Sequence, residues 1–138
     1  MKRHATAQWS GGGKDGSGTL TTQTKTLSNT AYNWASRFAD GTQTNPEELV
    51  AAAHAGCFSM KLSFVLGNHG VVPESIETKC TITQGEAGKI TNSHLEVKVK
   101  ASGMDKAKFD ECIADAKTNC PISQLLNTEI TAEAALIS

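Results

Sequence analysis

Four cysteines, Cys57, Cys80, Cys112 and Cys120, together with His54, are the residues in this sequence whose chemistry can extend beyond packing. A free thiol fills a core, holds a metal or acts as a redox nucleophile, and its surroundings decide which. Cys80 falls on one face of an alternating segment with Ile76, Thr78 and Ile82, and Cys112 shares a helical stripe with Phe109, Ile113 and Ala116. Both read as small buried hydrophobes. Zinc is not expected. There is no CxxC pair, Cys112 and Cys120 are too widely spaced for a paired-ligand knuckle, and His54 with Cys57 supplies only two ligands. His54 lies three residues before Cys57 and shares its helix face, so it reads as a packed or hydrogen-bonded core histidine, also able to modulate a thiol's pKa.

Cys120 stands between Asn119 and Pro121, at an expected helix start. The positive end of the dipole there favours a thiolate, while packing beneath the turn is the equally open alternative. Cys57 falls in the middle of a long apolar helix, where the dipole gives little help. Position alone makes it a core residue.

The elements that must hold these residues are legible in outline. Residues 5–9 and 18–27 read as strands around the glycine-rich turn Gly11 to Gly16, and residues 31–38, with Tyr32, Trp34 and Phe38, as a further strand. Asn45-Pro46-Glu47-Glu48 is a helix start: a capping asparagine, proline at the first helical position and two acids in the first turn. That helix should run to about Leu66, ended by Gly67-Asn68, and its apolar circumference marks it as central and buried. Strands are expected at 75–83 and 90–101, a helix at 105–117, a short helix from Pro121 and a last strand at 128–137. The order implies an α+β fold in a single domain, 1–138.

Hydrophobic residues make up 38% of the chain and charged ones 20%, which suits a globular protein and argues against disorder. The 13 basic and 14 acidic side chains leave a net charge of −1. No basic stripe marks a nucleic acid or an anionic membrane as partner. After Met1-Lys2-Arg3-His4, the polar Thr6, Gln8 and Ser10 interrupt the apolar segment that a secretion signal needs, so a cytoplasmic protein is expected. Residues 49–65 carry His54, Ser59, Lys61 and Ser63 and read as a helix inside protein, not a membrane span. In a reducing compartment the cysteines are not expected to form standing structural disulfides.

Two longer motifs add what single residues do not. The segment NPEELVAAAHAGCFSMKLSFVLG, Asn45 to Gly67, resembles the central helix of the OsmC/Ohr family of organic hydroperoxide reductases. NCPISQLL, Asn119 to Leu126, resembles that family's second cysteine motif. The W-S-G hairpin, YNWASRFADG at 32–41 and the closing strand resemble the OsmC branch, so the likeness extends over essentially the whole chain. The resemblance implies an intertwined homodimer with antiparallel sheets wrapped around central buried helices. It also implies Cys57 as the residue that attacks the peroxide, Cys120 as the one that resolves it, and Arg37 and Glu47 as their charged companions. The implied partners are an organic hydroperoxide and an external dithiol, lipoyl-type, with no cofactor. At Gly56, next to Cys57, the family pattern leads one to expect alanine.

The chemistry that follows is that of an activated thiol. An unperturbed thiol is only a few per cent ionised at neutral pH, and burial lowers that further. A cation within about 4–6 Å reverses the effect, and Arg37 is the cation the motif supplies. Glu47 and Cys57 lie ten residues apart on one expected helix, hence about 15 Å along its axis. If both serve one site, Arg37 and Glu47 must come from a second subunit. A small-ligand-binding module of the same fold, and a redox sensor whose Cys57–Cys120 disulfide signals instead of turning over, are the competing readings.

Overall fold

The computed structural model describes residues 1–137, and the chain divides into two compact units, one ending at Leu49 and one beginning at Val50. The first contains strands β1 (Ala5–Ser10), β2 (Ser17–Thr22) and β3 (Thr30–Tyr32), paired antiparallel in that order, and helix α1 (Trp34–Phe38). β2 is shorter than the expected 18–27 because the chain turns back beyond it. Lys25 donates to the Thr22 carbonyl at 2.9 Å, with its own backbone in the left-handed region at φ 66°.

The expected strand at 31–38 is corrected. Only its first two residues lie in β3, and Trp34–Phe38 are helical. The aromatic residues favour a strand, but Asn33 outweighs them locally: its Oδ1 accepts the Ser36 amide at 2.9 Å and starts a helix. The loop that follows is tied back to this turn. Gly41 donates to the Ala35 carbonyl at 3.0 Å, Gln43 to Ser36 Oγ at 3.0 Å, and Asn45 Nδ2 to the Ser36 carbonyl at 2.9 Å. Gly41 is needed there, since a Cβ at this position would run into the backbone of Ser36. Asn45 also caps the next helix, α2 (Pro46–Asn68), through the Glu48 amide at 2.7 Å. One side chain thus fixes both α1 and the start of α2.

The second unit contains most of α2, then β4 (Ser75–Gln84), β5 (Ile90–Lys100), α3 (Lys106–Asn119), α4 (Pro121–Leu125) and β6 (Glu129–Ile137). The sheet order is β4-β5-β6. β4 and β5 pair antiparallel, but β5 and β6 run parallel, so the expectation of antiparallel sheets holds only for the first sheet and the β4–β5 pair. The reason is the connection: α3 and α4 stand between β5 and β6, long enough for the crossover that a parallel pair requires.

Alternation on β5 puts Ser93, Leu95, Val97 and Val99 on the buried face. Against them pack Phe58, Leu62, Val65 and Leu66 of α2, and Phe109, Cys112, Ile113 and Ala116 of α3. Truncating a side chain such as Leu62 to alanine here costs about 2–5 kcal/mol. The buried positions on α2 are His54, Phe58, Leu62, Val65 and Leu66, a stripe at helical spacing.

The expectation of an all-round buried helix is met on that stripe alone within one chain. Met60 and Phe64, on the other side, are each 67% exposed. The helix is long and apolar enough to cross a membrane, yet its stripe is packed in a protein core. One sheet face cannot cover a helix that is apolar around its circumference. Gly56 lies on the open side, and a Cβ there would meet no atom within 4 Å. Gly56→Ala should therefore raise unfolding free energy by about 0.5–1 kcal/mol, because glycine inside a helix carries that entropic cost. Denaturant titration of the two forms measures the gain.

Candidate active site

Two pairs of side chains carry the chemistry. The first is Cys57 with Cys120, whose sulfurs are 3.1 Å apart. A disulfide needs about 2 Å, so a small approach would join them. All four cysteines are free thiols. Cys57 is one residue from the buried stripe of α2 and is half-buried. Cys120 is the corner residue between α3 and α4 and is fully buried. The corner forms because Pro121 cannot continue α3 and is pre-organised for the first turn of α4.

The two sulfurs differ in access and in electrostatics. Cys57 opens onto an apolar groove of about 550 Å³, lined by Ala53, Gly56, Met60, Phe64, Pro121 and Ile122, with Lys61 at its side. Burial pushes the Cys57 thiol up, and its hydrogen bond with Cys120 adds to the effect. Burial alone would also raise Cys120. Its hydrogen bond with Cys57, the Ser123 amide and hydroxyl and the Ile122 amide together outweigh that and hold it below the ordinary value. Within one chain, negative charge is thus easier to place on Cys120, while a solute reaches Cys57.

The second pair is Arg37 with Glu47, both in the first unit. Arg37 Nε donates to the two carboxylate oxygens of Glu47 at 3.0 and 3.1 Å. The guanidinium also lies 4.9 Å from the centre of the Phe38 ring. Arg37 is partly exposed and Glu47 is largely covered, so a mostly covered carboxylate holds a cation that is open to solvent. The α1 turn and the Asn45 bridge set this geometry, and Glu47 is in place because it follows Pro46 in the first turn of α2. The structure therefore brings together the two sulfurs, and separately the two charged residues. α2 is unbroken from Pro46 to Asn68, as the axial-distance argument requires.

His54 is a hydrogen-bonded core histidine, in line with the sequence. Its Nδ1 is 2.6 Å from Ser93 Oγ and its Nε2 is 2.8 Å from Ser123 Oγ. The two serines were not singled out from the sequence. The available signal was a polar residue at inward parity on β5 and a serine one turn beyond Cys120. Cys80, read as a simple hydrophobe, is half-buried and lies 3.2 Å from Ser93 Oγ. Among the described residues, no group of three or more His, Cys, Asp or Glu side chains could hold a metal ion.

The structure is thus a mixed α+β scaffold that sets two thiols in contact beside an apolar groove. The family model described as OsmC-like protein matches residues 39–134. The chain is 43% identical over 135 residues to the peroxiredoxin OsmC of Escherichia coli K12, covering 96% of this chain and 94% of that one. It is 28% identical over 95 residues to the organic hydroperoxide resistance protein OhrA of Bacillus subtilis, with 67% of each chain covered. The crystal structure of an OsmC-like protein from Mycoplasma pneumoniae superposes with a TM-score of 0.77 at 13% identity, over 100% of this chain and 99% of that one. The chain belongs to the OsmC-like family.

The thiol electrostatics make a direct prediction. Cys57→Ala removes a hydrogen bond that favours the Cys120 thiolate, so ionisation of Cys120 should move to higher pH. Ultraviolet thiolate absorbance against pH, compared with a Cys57→Ala/Cys120→Ala background, reads the shift.

Proposed function

We propose that this chain is a cysteine-based peroxidase that reduces organic hydroperoxides to alcohols, with Cys57 as attacking sulfur and Cys120 as resolving sulfur. The observation that carries the reading is the asymmetric pair: two thiols in contact, one opening on an apolar groove and the other sealed in the core. The names borne by the relatives, a peroxiredoxin and an organic hydroperoxide resistance protein, support the substrate class. Access supports these roles, since a peroxide in the groove would meet Cys57. The apolar walls favour a bulky organic peroxide over hydrogen peroxide.

The chemistry balances in three steps. The Cys57 thiolate attacks the terminal peroxide oxygen, the O–O bond breaks and the alkoxide takes a proton to leave as alcohol, giving Cys57 sulfenic acid. The Cys120 sulfur attacks that sulfenic sulfur, the S–S bond forms, the S–O bond breaks and water leaves. An external dithiol then reduces the disulfide by exchange and is itself oxidised to a disulfide. The family resemblance implies a lipoyl-type dithiol.

The first step needs a Cys57 thiolate, which burial opposes. Arg37 is the cation that answers it, and Glu47 holds the guanidinium in place while its remaining N–H groups meet sulfur and peroxide. Glu47 is ten residues before Cys57 on a continuous helix, about 15 Å along the axis, so Arg37 and Glu47 act on the Cys57 of a second copy. The uncovered apolar side of α2, with Met60 and Phe64 in the open, supports a homodimer that buries it. The dimer then contains two shared sites.

Reduced protein treated with one equivalent of an organic hydroperoxide should release alcohol and form a Cys57–Cys120 disulfide by mass spectrometry, and a dithiol should reopen it. Absence of that bond would end the enzyme reading, and a bond that no dithiol reopens would favour a redox sensor. Cys57→Ser should abolish alcohol release. Cys120→Ser should give one turnover and leave a trappable sulfenic acid, whereas Cys112→Ala should retain turnover. Glu47→Gln replaces a charge-assisted hydrogen bond worth about 1.5–3 kcal/mol. Its kcat/KM in steady-state peroxide reduction should therefore fall about 10–100-fold, with the fold intact by circular dichroism.

A further inference from the structure

The steps above leave His54 without a task, yet it is fully buried in the stripe that Phe58, Leu62 and Leu66 continue. An apolar side chain there would carry no polar group to satisfy. The imidazole instead needs two buried hydroxyls: its Nδ1 is 2.6 Å from Ser93 Oγ and its Nε2 is 2.8 Å from Ser123 Oγ. The ring thus joins three elements, α2 that carries it, β5 through Ser93 and α4 through Ser123.

The link to α4 stands beside the sulfur pair. Cys57 is three residues after His54 on α2, and Ser123 is three residues after Cys120 at the corner that opens α4. Two rungs therefore cross from α2 to α4, His54–Ser123 at 2.8 Å and Cys57–Cys120 at 3.1 Å. Among the described residues they are the two hydrogen bonds between side chains that join these helices. α4 needs such ties. Its five residues make little more than one turn, which has no stability of its own, and its last residue, Leu125, is exposed. Pro121 at its first position breaks it from α3, so no continuous helix stiffens the corner.

We propose that His54 is a positioning residue for the resolving step, holding the α4 corner on α2 through Ser123 so that Cys120 stays in reach of Cys57 while that sulfur carries an oxygen. The proposal rests on the assignment of Cys57 and Cys120 as the attacking and resolving sulfurs. Oxidation turns the Cys57 thiol into a sulfenic acid, so the sulfur contact of the reduced protein cannot persist unchanged. The His54–Ser123 rung is the one that oxidation does not touch. Cys120 then attacks the sulfenic sulfur: the S–S bond forms, the S–O bond breaks, and the Cys120 proton leaves with the hydroxyl as water. Until that bond exists, the second rung is the polar tie that keeps the corner from rotating away.

Ser93 makes the tie rigid. Bonded at one nitrogen alone, the ring would be free to turn and carry Ser123 with it, whereas engagement of both nitrogens sets a single orientation. Ser93 Oγ is itself 3.2 Å from Cys80 Sγ, so the anchor extends to β4. The ring and both serines are buried, so water does not compete for these bonds. A displacement of about 1 Å at a reacting atom costs about 10²-fold in a step that depends on proximity, which is the scale on which this tie acts.

Single-turnover kinetics on the full-length protein test this. One equivalent of cumene hydroperoxide is mixed in, alcohol release reports the first step, and disulfide formation reports the second. Ser123→Ala removes the rung with little change in volume. His54→Leu removes it from the other side and leaves the Ser123 hydroxyl in place, so an effect of that hydroxyl on the neighbouring thiol cannot account for the result. In each variant alcohol release should match wild type, while disulfide formation should slow by about 10²-fold. The double variant should be no slower than either single one, since both remove the same contact. Equilibration with a reference dithiol should show the Cys57–Cys120 disulfide of the variants to be about 10-fold easier to reduce, a potential about 30 mV higher. A loss of global stability alone would move neither reading in the folded protein. Ser123→Ala, measured at a pH above ionisation of Cys120, decides the matter if His54→Leu does not fold. Folded variants with wild-type disulfide formation and an unchanged potential, or with alcohol release slowed in step, would overturn the proposal and leave the cysteine assignment intact. A second step slowed by Ser123→Ala but not by a folded His54→Leu would overturn it as well. Failure of wild type to release alcohol or to form the disulfide would instead overturn the assignment beneath it.

Discussion

On the proposed reading Cys57 attacks a peroxide, and because a sulfur can do so only after giving up its proton, a charge has to form at the edge of an apolar core. This constraint organises the rest of the molecule. Burial raises the Cys57 thiol, whereas the turn of α4 supplies amides and a hydroxyl that favour charge on the neighbouring Cys120. In one chain, burial therefore opposes a thiolate on the sulfur that a solute can reach. On the proposed reading, the guanidinium of Arg37, held by Glu47, offsets that burial when it comes to Cys57 from another copy.

The fold positions both partners by ordinary means. The stripe from His54 to Leu66 fixes the rotation of α2, and so places Cys57 at the margin between core and groove. The parallel β5–β6 pair demands a crossover, and the proline-broken corner inside that crossover delivers Cys120. On the other unit, one asparagine joins two helices: Asn45 caps α2 and ties down the turn that carries Arg37. The loop can close only because residue 41 has no side chain.

Much of this was legible in the sequence because local signals and global packing agree. The NPEE start, the alternation on β4 and β5 and the cysteine–proline corner each specify one local structure, and the core uses it unchanged. The exceptions have distinct causes. Residues 34–38 carry strand-forming aromatics, but the Asn33 cap decides the matter at short range. The parallel register of β6 depends on which strand it meets after the crossover, which no local pattern encodes. The all-round apolarity of α2 was plain, but a sequence does not say that only one side is covered within the chain. Ser93 and Ser123 are marked only by position, at inward parity on β5 and one turn beyond Cys120, and position does not reveal that His54 is their partner. The Cys57–Cys120 pairing is implied by the family resemblance alone, since position left Cys120 open and made Cys57 a core residue.

On the proposed reading the reactive site is completed between two chains. Complementation between inactive variants tests it most directly: Arg37→Ala and Cys57→Ser proteins are mixed, allowed to exchange subunits, and assayed for hydroperoxide consumption. Each hybrid dimer then contains one site with both Cys57 and Arg37, so random exchange of equal amounts should restore about a quarter of wild-type activity. A mixture of verified hybrid dimers that remains as inactive as its two components would rule out a shared site and leave Arg37 to act on the Cys57 of its own chain.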